Sequence, residues 1–230
     1  MNGNALITQI LTEDKKQNTY KIALIRAIND VVIEYPTLKY TAHSRIAIPL
    51  KNIANWWLAY YWAFVDNQNP IWQSVSYTTD MSFRNILTEF RLAWQRYGGK
   101  NHHGEGYKVR KEINKYPETL VDLYKDTIKA IQKGVSQPII YAGTEQIKHF
   151  DAPTKLLNLT DAIPLPSANH EDLCFIIEGW LWQTFEKNPV GIESMCVDAW
   201  CLFIQDKAHH LNNQKYTHAD IYPLLTTRPS

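Results

Sequence analysis

The segment IPLKNIANWWLAYYWAFVD (48–66) indicates the fold more clearly than any other part of the chain. Its apolar residues recur at the spacing of one face of an α-helix: Ile53, Trp57, Tyr60 and Phe64. Aromatic side chains in such a pattern either pack in a core or stack on nucleic-acid bases. At helical spacing a packed core is the more common reason, so we predict a buried helix here.

The same periodicity extends over most of the chain. Three further sets each mark one helical face: Leu24, Ile28, Val31 and Tyr35; Phe83, Leu87, Phe90, Trp94 and Tyr97; and Val121, Tyr124, Ile128 and Ile131. The pattern also predicts helices at 107–115, 118–133, 171–186 and 191–211. A capping box formed by Thr217 and Asp220 predicts a last short helix.

Glycine and proline interrupt the middle of the chain, where only short strands fit, for instance at 139–142. The predicted fold class is therefore all-α. We expect an irregular multi-helix bundle that allows short strands in the middle. It would form a single helical domain over residues 1–230, with an irregular stretch at 134–170.

Composition excludes several classes of protein. The 230 residues carry a formal net charge of only +1, so no global field points to nucleic acid or membrane as partner. Cys174, Cys196 and Cys201 lie in apolar surroundings without metal or redox spacing, and we expect buried, reduced thiols. The chain shows no secretion signal and no run of about 18 apolar residues. These features predict a cytoplasmic protein without a membrane partner.

The charges are nevertheless unevenly distributed. Residues 84–115 contain eight Lys or Arg and three acids, whereas residues 156–206 contain eight acids and one Lys. The basic stretch includes the glycine-rich segment GGKNHHGEGYKVRK (98–111), whose backbone N–H groups and cations are suited to phosphates. The candidate nucleic-acid-binding residues are Arg84, Arg91, Arg96, Lys100, His102, His103, Lys108, Arg110 and Lys111.

These residues also fit other interpretations. The 98–111 segment also fits a solvated connection between helices or a metal site at its two histidines. His209, His210 and His218 fit surface or structural positions better than a ligand set. Five acids could form a general acid–base pair, but they too fit structural or surface positions better: Glu171, Asp172, Glu178, Glu186 and Glu193. We therefore predict neither a metal site nor a catalytic residue.

Several segments resemble the N-terminal helical region of prokaryotic HNH-endonuclease-domain proteins. They are TYKIALIRAINDVVIEY (19–35), the 48–66 segment and PIWQ (70–73). The matching residues are Lys21, Ala23, Leu24, Arg26, Ala27, Pro49, Leu50, Trp57, Tyr60, Tyr61, Trp62, Pro70, Ile71 and Gln73. Residues 190–212 resemble the family's helix before the nuclease module, and residues 217–229 resemble the linker that leads into it. The match of residues 190–212 rests on Ile192, Glu193 and Trp200.

The resemblance implies a DNA-engaging helical domain of restriction or antiphage defence. In that family a ββα-metal module supplies a general-base His beside an acid, a later Asn and a final His or Asn. The nine positions from His210 to His218, with Asn212 and Asn213 between, are too few to hold such a module. We therefore expect a truncated or split chain, a nuclease module on another polypeptide, or a lineage that lost it. Whether the chain itself is an enzyme is left open.

The expected partners are DNA and a nuclease module or subunit, or a second copy of the chain in a homodimer. No cofactor is expected in this chain, and a divalent metal is expected only together with a nuclease module. The alternative function is a helical protein–protein interaction or dimerisation module without a nucleic-acid role. A third possible function is an independent hydrolase whose active site lies around His102 or His209.

Overall fold

A computed structural model describes residues 3–76, 80–141, 150–208 and 215–228, and the fold is mainly helical. The helices are α1 (Gly3–Thr12), α2 (Tyr20–Glu34), α3 (Leu50–Tyr61), α4 (Arg84–Arg96), α5 (Glu105–Glu112), α6 (Glu118–Tyr141), α7 (Gly179–Lys187), α8 (Pro189–Asp206) and α9 (His218–Thr226). Short 3₁₀ turns follow α3 at Trp62–Val65 and α5 at Ile113–Lys115. The predicted mainly helical fold is confirmed. None of the helices in the described ranges is long and apolar enough to cross a lipid bilayer.

A four-stranded sheet accompanies the helices. It comprises β1 (Arg45–Pro49), β2 (Thr154–Lys155), β3 (Ala162–Pro164) and β4 (Leu173–Glu178), in the order β2-β4-β1-β3. The central pair is antiparallel, with Ile46 opposite Ile177 and Ile48 opposite Phe175. β3 lies parallel to β1, and β2 lies antiparallel to β4. The sheet places strands in part of the middle region, where the sequence allowed them.

Two predictions of secondary structure were wrong, one of a helix and one of a strand. The first half of the helix predicted at 171–186 is strand β4, because its continuous apolar run LCFII fits a strand buried on both faces as well as a helix. The strand suggested at 139–142 is wrong over 139–141, which form the end of α6, and residue 142 lies outside the described residues. α6 continues past Gly134 and contains Pro138.

The chain forms two compact units. The first comprises the described residues within 1–16, 20–53 and 135–196, and the second those within 17–19, 54–134 and 197–230. The first unit contains the sheet together with α1, α2 and α7. α2 is buried almost all round, and its Arg26, which is 0% exposed, pairs with Glu193 at 3.2 Å.

The second unit has an aromatic core, which confirms the core predicted for the 48–66 segment. Trp57, Tyr61 and Phe64 are at most 1% exposed and pack with Phe83 or Trp200. A buried hydrogen-bond network completes this core. Its acceptor is Gln73 Oε1, which receives bonds from Trp200 Nε1 at 2.8 Å and Thr19 Oγ1 at 3.2 Å.

The helix ends follow local sequence rules. At the start of α9, Asp220 Oδ2 accepts the backbone N–H of Thr217 at 2.8 Å, as the predicted capping box requires. The Thr217 hydroxyl donates to the same oxygen at 2.7 Å, and these two hydrogen bonds lower the pKa of Asp220. The predicted short helix at the end of the chain is therefore confirmed.

Candidate nucleic-acid interface

The glycine-rich segment begins at a helix end that requires glycine. Gly98 follows α4 with a φ of +90°, a conformation that other residues rarely adopt. Its N–H donates to the carbonyl of Gln95 at 3.0 Å, and the N–H of Gly99 donates to the carbonyl of Trp94 at 3.0 Å. This pair of bonds is a Schellman motif, which ends the helix and starts the 98–104 loop.

Glu105 holds the other end of the 98–104 loop. It is buried, and its Oε2 accepts a hydrogen bond from Trp94 Nε1 at 3.0 Å. The same oxygen accepts the backbone N–H of Lys100 at 3.2 Å. As the first residue of α5, the carboxylate also interacts favourably with the helix dipole. Both ends of the loop are therefore fixed by specific hydrogen bonds.

The two histidines of the loop stack on one another, with ring centroids 4.1 Å apart. His102 is exposed, and its Nδ1 accepts the N–H of Gly104 at 3.1 Å. His103 is half-buried, and its Nε2 has no hydrogen-bond partner in the described part of the chain. Burial lowers the pKa of His103, and the neighbouring His102 and Arg91 lower it further. The His103 imidazole is therefore neutral at pH 7 and adds no positive charge.

Arg84 forms contacts inside the second unit. Its Nη1 donates to the carbonyl of Phe64 and its Nη2 to the carbonyl of Ile71, both at 2.8 Å. It also pairs with Asp80, and its guanidinium lies 4.6 Å from the centre of the Trp72 ring. With a side chain that is 11% exposed, Arg84 joins α4 to the preceding segment. Its guanidinium is therefore engaged within the second unit.

Arg91 is more deeply buried, at 5% exposure. Its Nη1 donates to the carbonyl of Trp62 at 2.7 Å, and its Nη2 donates to Asp66 Oδ2 and Asn101 Oδ1, each at 2.7 Å. Burial lowers the pKa of Arg91, an effect that the nearby Asp66 opposes. These contacts hold the 98–104 loop against the 3₁₀ turn after α3. The Arg91 guanidinium is therefore engaged within the second unit too.

The exposed positive charge lies on one face of α5 and its 3₁₀ extension. Lys108, Lys111 and Lys115 follow at steps of three and four residues, so they share a helical face. Glu112 lies between them, 3.9 Å from Lys108 Nζ and 3.4 Å from Lys115 Nζ. Because such exposed pairs are weak, all three ammonium groups stay available to a ligand. These three lysines are called the α5 lysine face below.

Two further cations lie in the same stretch of the chain. Arg96 and Lys100 are exposed, and neither side chain forms a hydrogen bond or ion pair with another described residue. Between Arg96 and Lys115 there are six basic residues against two acids, and one of these acids is the buried Glu105. The structure therefore leaves the exposed surface of this stretch distinctly positive.

Arg110 has a different role from the lysines beside it. Its guanidinium lies 3.6 Å from the centre of the Trp56 ring, within the range of a strong cation–π contact. Arg228, near the end of the described chain, lies 5.8 Å from the same ring and 5.6 Å from that of Tyr107. Sequence reasoning missed Trp56 and Arg228 as neighbours of this region, because no spacing along the chain connects them.

An open cleft of about 110 Å³ adjoins the 98–104 loop. Asp66, Arg91, Gln95 and Asn101 are among the residues that line it. Asn101 Oδ1 accepts hydrogen bonds from Arg91 Nη2 at 2.7 Å and from Gln95 Nε2 at 2.8 Å. Asp66 Oδ1 accepts the N–H groups of the turn that follows it, so this side chain is fixed too. Only Arg91 of these residues was a sequence candidate.

The other candidate residues mostly have partners of their own. Four of the five acids considered have partners within the first unit: Glu171 with Lys155 at 2.7 Å, Asp172 with Lys51 at 2.6 Å, Glu186 with Tyr40, and Glu193 with Arg26 at 3.2 Å. His218 Nε2 lies 3.3 Å from Asp198 Oδ1. His209 and His210 lie outside the described residues. Nowhere in the described ranges do three His, Cys, Asp or Glu side chains form a group that could hold a metal ion.

The three cysteines are buried and free, as predicted. Burial, together with the nearby Asp172, raises the pKa of the Cys174 thiol to about 11. Burial likewise raises the pKa of Cys196, which is 0% exposed. Neither thiol is a reactive thiolate at neutral pH.

Fold and site together define a mainly helical protein with a small sheet in one unit and a basic, glycine-rich loop in the other. The chain belongs to the family described as a domain of unknown function, DUF8808, whose sequence model matches residues 2–225. No curated protein and no solved structure matches the chain.

Proposed function

We propose that the chain is a DNA-binding module whose second unit contacts phosphates through the α5 lysine face, Arg96 and Lys100. The resemblance to HNH-endonuclease-domain proteins supports a role as the non-catalytic part of such a system in restriction or antiphage defence. A nuclease module or subunit is the partner that this role requires. We assign no catalytic residue to the chain.

One observation carries the proposal. Lys108 and Lys111 lie one turn apart on α5, and the helix is anchored in the unit by the buried Tyr107 and Val109. A rigid helix that presents ammonium groups at this spacing can meet successive phosphates of a nucleic-acid backbone. Phosphate contacts of this kind position the duplex and carry no sequence information.

Salt dependence gives the expected size of the effect. Each phosphate that a cation neutralises contributes about −0.9 to the slope of log K against log salt concentration on duplex DNA. The five exposed cations, less the neighbouring Glu112, predict a slope of about −3 to −4. Fluorescence anisotropy with a labelled duplex, between about 50 and 200 mM salt, measures this slope directly.

The decisive variant reverses two charges on the α5 lysine face, K108E together with K111E. Arg110 is spared because its reversal would break the stack on Trp56. The matched control is K125E with K129E, two exposed lysines of α6 in the same unit, which changes the net charge equally. We expect the first pair to lower the affinity and reduce the slope by about two, and the control pair to do much less.

Two results would overturn the proposal. One is a wild-type chain that binds neither duplex nor single-stranded DNA at low salt. The other is an equal loss of affinity in both double variants, which would show that only total charge matters and that the α5 lysine face is not a site.

A second candidate function is a protein–protein interaction or dimerisation module. It is favoured by exposed apolar side chains beside the Asp198–His218 pair. Leu202 lies one turn beyond Asp198 on α8 and is 52% exposed, and Tyr222 lies one turn beyond His218 on α9 and is 46% exposed. A dimer detected by light scattering, and dispersed by L202R, would favour this function over DNA binding.

A further inference from the structure

We propose that the cleft beside the 98–104 loop binds an unpaired nucleobase, so that the module prefers single-stranded over duplex DNA. This inference rests on the proposed function, because it adds base recognition to the phosphate contacts. Its starting point is the orientation of two amide side chains, Asn101 and Gln95, which line the cleft.

The hydrogen bonds leave only one orientation for the Asn101 amide. A guanidinium only donates hydrogen bonds, so the atom of Asn101 that meets Arg91 Nη2 at 2.7 Å must be the oxygen. Asn101 Nδ2, with its two N–H groups, is then the opposite end of the amide. It has no hydrogen-bond partner among the residues that the structure describes.

The same reasoning orients Gln95. Its Nε2 donates to Asn101 Oδ1 at 2.8 Å, so the free end of its amide is the acceptor Oε1. This oxygen also has no partner within the described ranges. The cleft is therefore lined by neighbouring residues that keep one donor and one acceptor unused, both in orientations that a buried arginine enforces.

A neutral ligand fits this cleft better than a phosphate. The one cation in its lining is Arg91, which already binds the carboxylate of Asp66, another lining residue. An anion would therefore meet a carboxylate without gaining an unpaired positive charge. At about 110 Å³ the cleft is also much larger than the roughly 10–15 Å³ that one water needs. Leu92 adds an apolar wall for the face of a ring.

An unpaired base has the complementary chemistry. The Watson–Crick edge of every nucleobase places a hydrogen-bond donor beside an acceptor, and duplex pairing occupies both. Only a base outside a duplex can therefore offer this edge to Asn101 Nδ2 and Gln95 Oε1. The neighbouring Lys100 would lie near the phosphate of such a nucleotide, because it precedes Asn101 in the same loop.

The test compares single strands of equal charge. Three labelled oligonucleotides of about 15 nucleotides are used, made of dA, of dT, or of abasic residues on the same phosphate backbone. We expect the wild-type chain to bind the base-containing strands about tenfold more tightly than the abasic strand.

The key variant is N101D, with N114D as its control. The carboxylate that N101D introduces can still accept hydrogen bonds from Arg91 and Gln95, so the loop keeps its anchor, but the Nδ2 donor is lost. Asn114 is an exposed residue of the same unit, and its change to aspartate alters the net charge equally. We expect N101D to abolish the preference for bases. We expect N114D to lower the affinity for all three strands by the same factor and to keep the preference.

The outcomes separate the two proposals. If the wild-type chain binds all three strands equally, or if N101D keeps the full preference for bases, the nucleobase site is refuted while phosphate binding stands. If the wild-type chain binds none of the strands and no duplex, the proposed function itself falls, and the nucleobase site falls with it.

Discussion

Replacing Arg91 by Met tests the central structural claim about the candidate interface, that a buried guanidinium anchors the 98–104 loop. Methionine fills the volume of the arginine stem with a flexible apolar chain and removes all the donors. Three acceptors then lose a donor: the carbonyl of Trp62, Asp66 Oδ2 and Asn101 Oδ1, each 2.7 Å from a guanidinium nitrogen.

The expected cost follows from the surroundings of each acceptor. Trp62 is 0% exposed, so its carbonyl loses a charged donor without access to water, which costs about 2 kcal/mol. The side chain of Asp66 is 23% exposed and can regain water, so its loss is nearer to about 1 kcal/mol. Asn101 is exposed and contributes little. The sum is a loss of about 3 kcal/mol in the free energy of unfolding.

Urea unfolding followed by tryptophan fluorescence measures this loss. The matched control is R96M on the same helix. Because the Arg96 side chain is exposed and has no described partner, we expect R96M to change the free energy of unfolding by less than about 0.5 kcal/mol. If the two units unfold in separate steps, the loss belongs to the step of the second unit. A loss below about 1 kcal/mol for R91M, or one equal to that of R96M, would refute the anchoring role.

Two further predictions concern the 98–104 loop. Gly98→Ala should lower the free energy of unfolding by about 1–2 kcal/mol in urea titrations, because the φ of +90° strains an alanine although the space around it is open. Gly98→Asn should cost less, and equal losses would argue against backbone strain. The pKa of His103 lies below its ordinary 6.5, so the unfolded chain binds the proton more readily. The stability that the neutral imidazole provides is fully present above pH 6.5, and it is lost as the pH falls through the lower pKa that His103 has in the folded chain. His103→Gln should therefore flatten the loss of stability below about pH 6.5, and an unchanged pH profile would contradict the burial of this ring.

Local periodicity predicted the helices well, because a one-sided apolar face at 3.6-residue spacing is a property of a short segment. The regular faces through Trp57 and Leu87 became α3 and α4. The run LCFII misled because it is apolar at every position, which suits a strand buried on both faces. Its strand partner, β1, lies more than a hundred residues earlier, with Ile46 opposite Ile177, and no local signal records that pairing.

At the candidate site, too, the local sequence predicted one part and long-range packing decided the other. Counting charges singled out the stretch around the glycine-rich loop, and the loop does lie between two ordered helices. The count could not distinguish Arg91, which is enclosed by three acceptors, from Lys111, which is exposed. Nor could it show that Asn101 lines a cleft, since its polarity there depends on an arginine ten positions away in the chain.

The sequence by itself determined the helical character of the chain and the concentration of basic residues, because each depends on neighbours within a few positions. Only the tertiary structure decided which of those basic residues reach solvent and which hold the fold together. The physical reason is that a cation binds whichever acceptor packing brings within about 3 Å, and packing joins positions that are far apart along the chain.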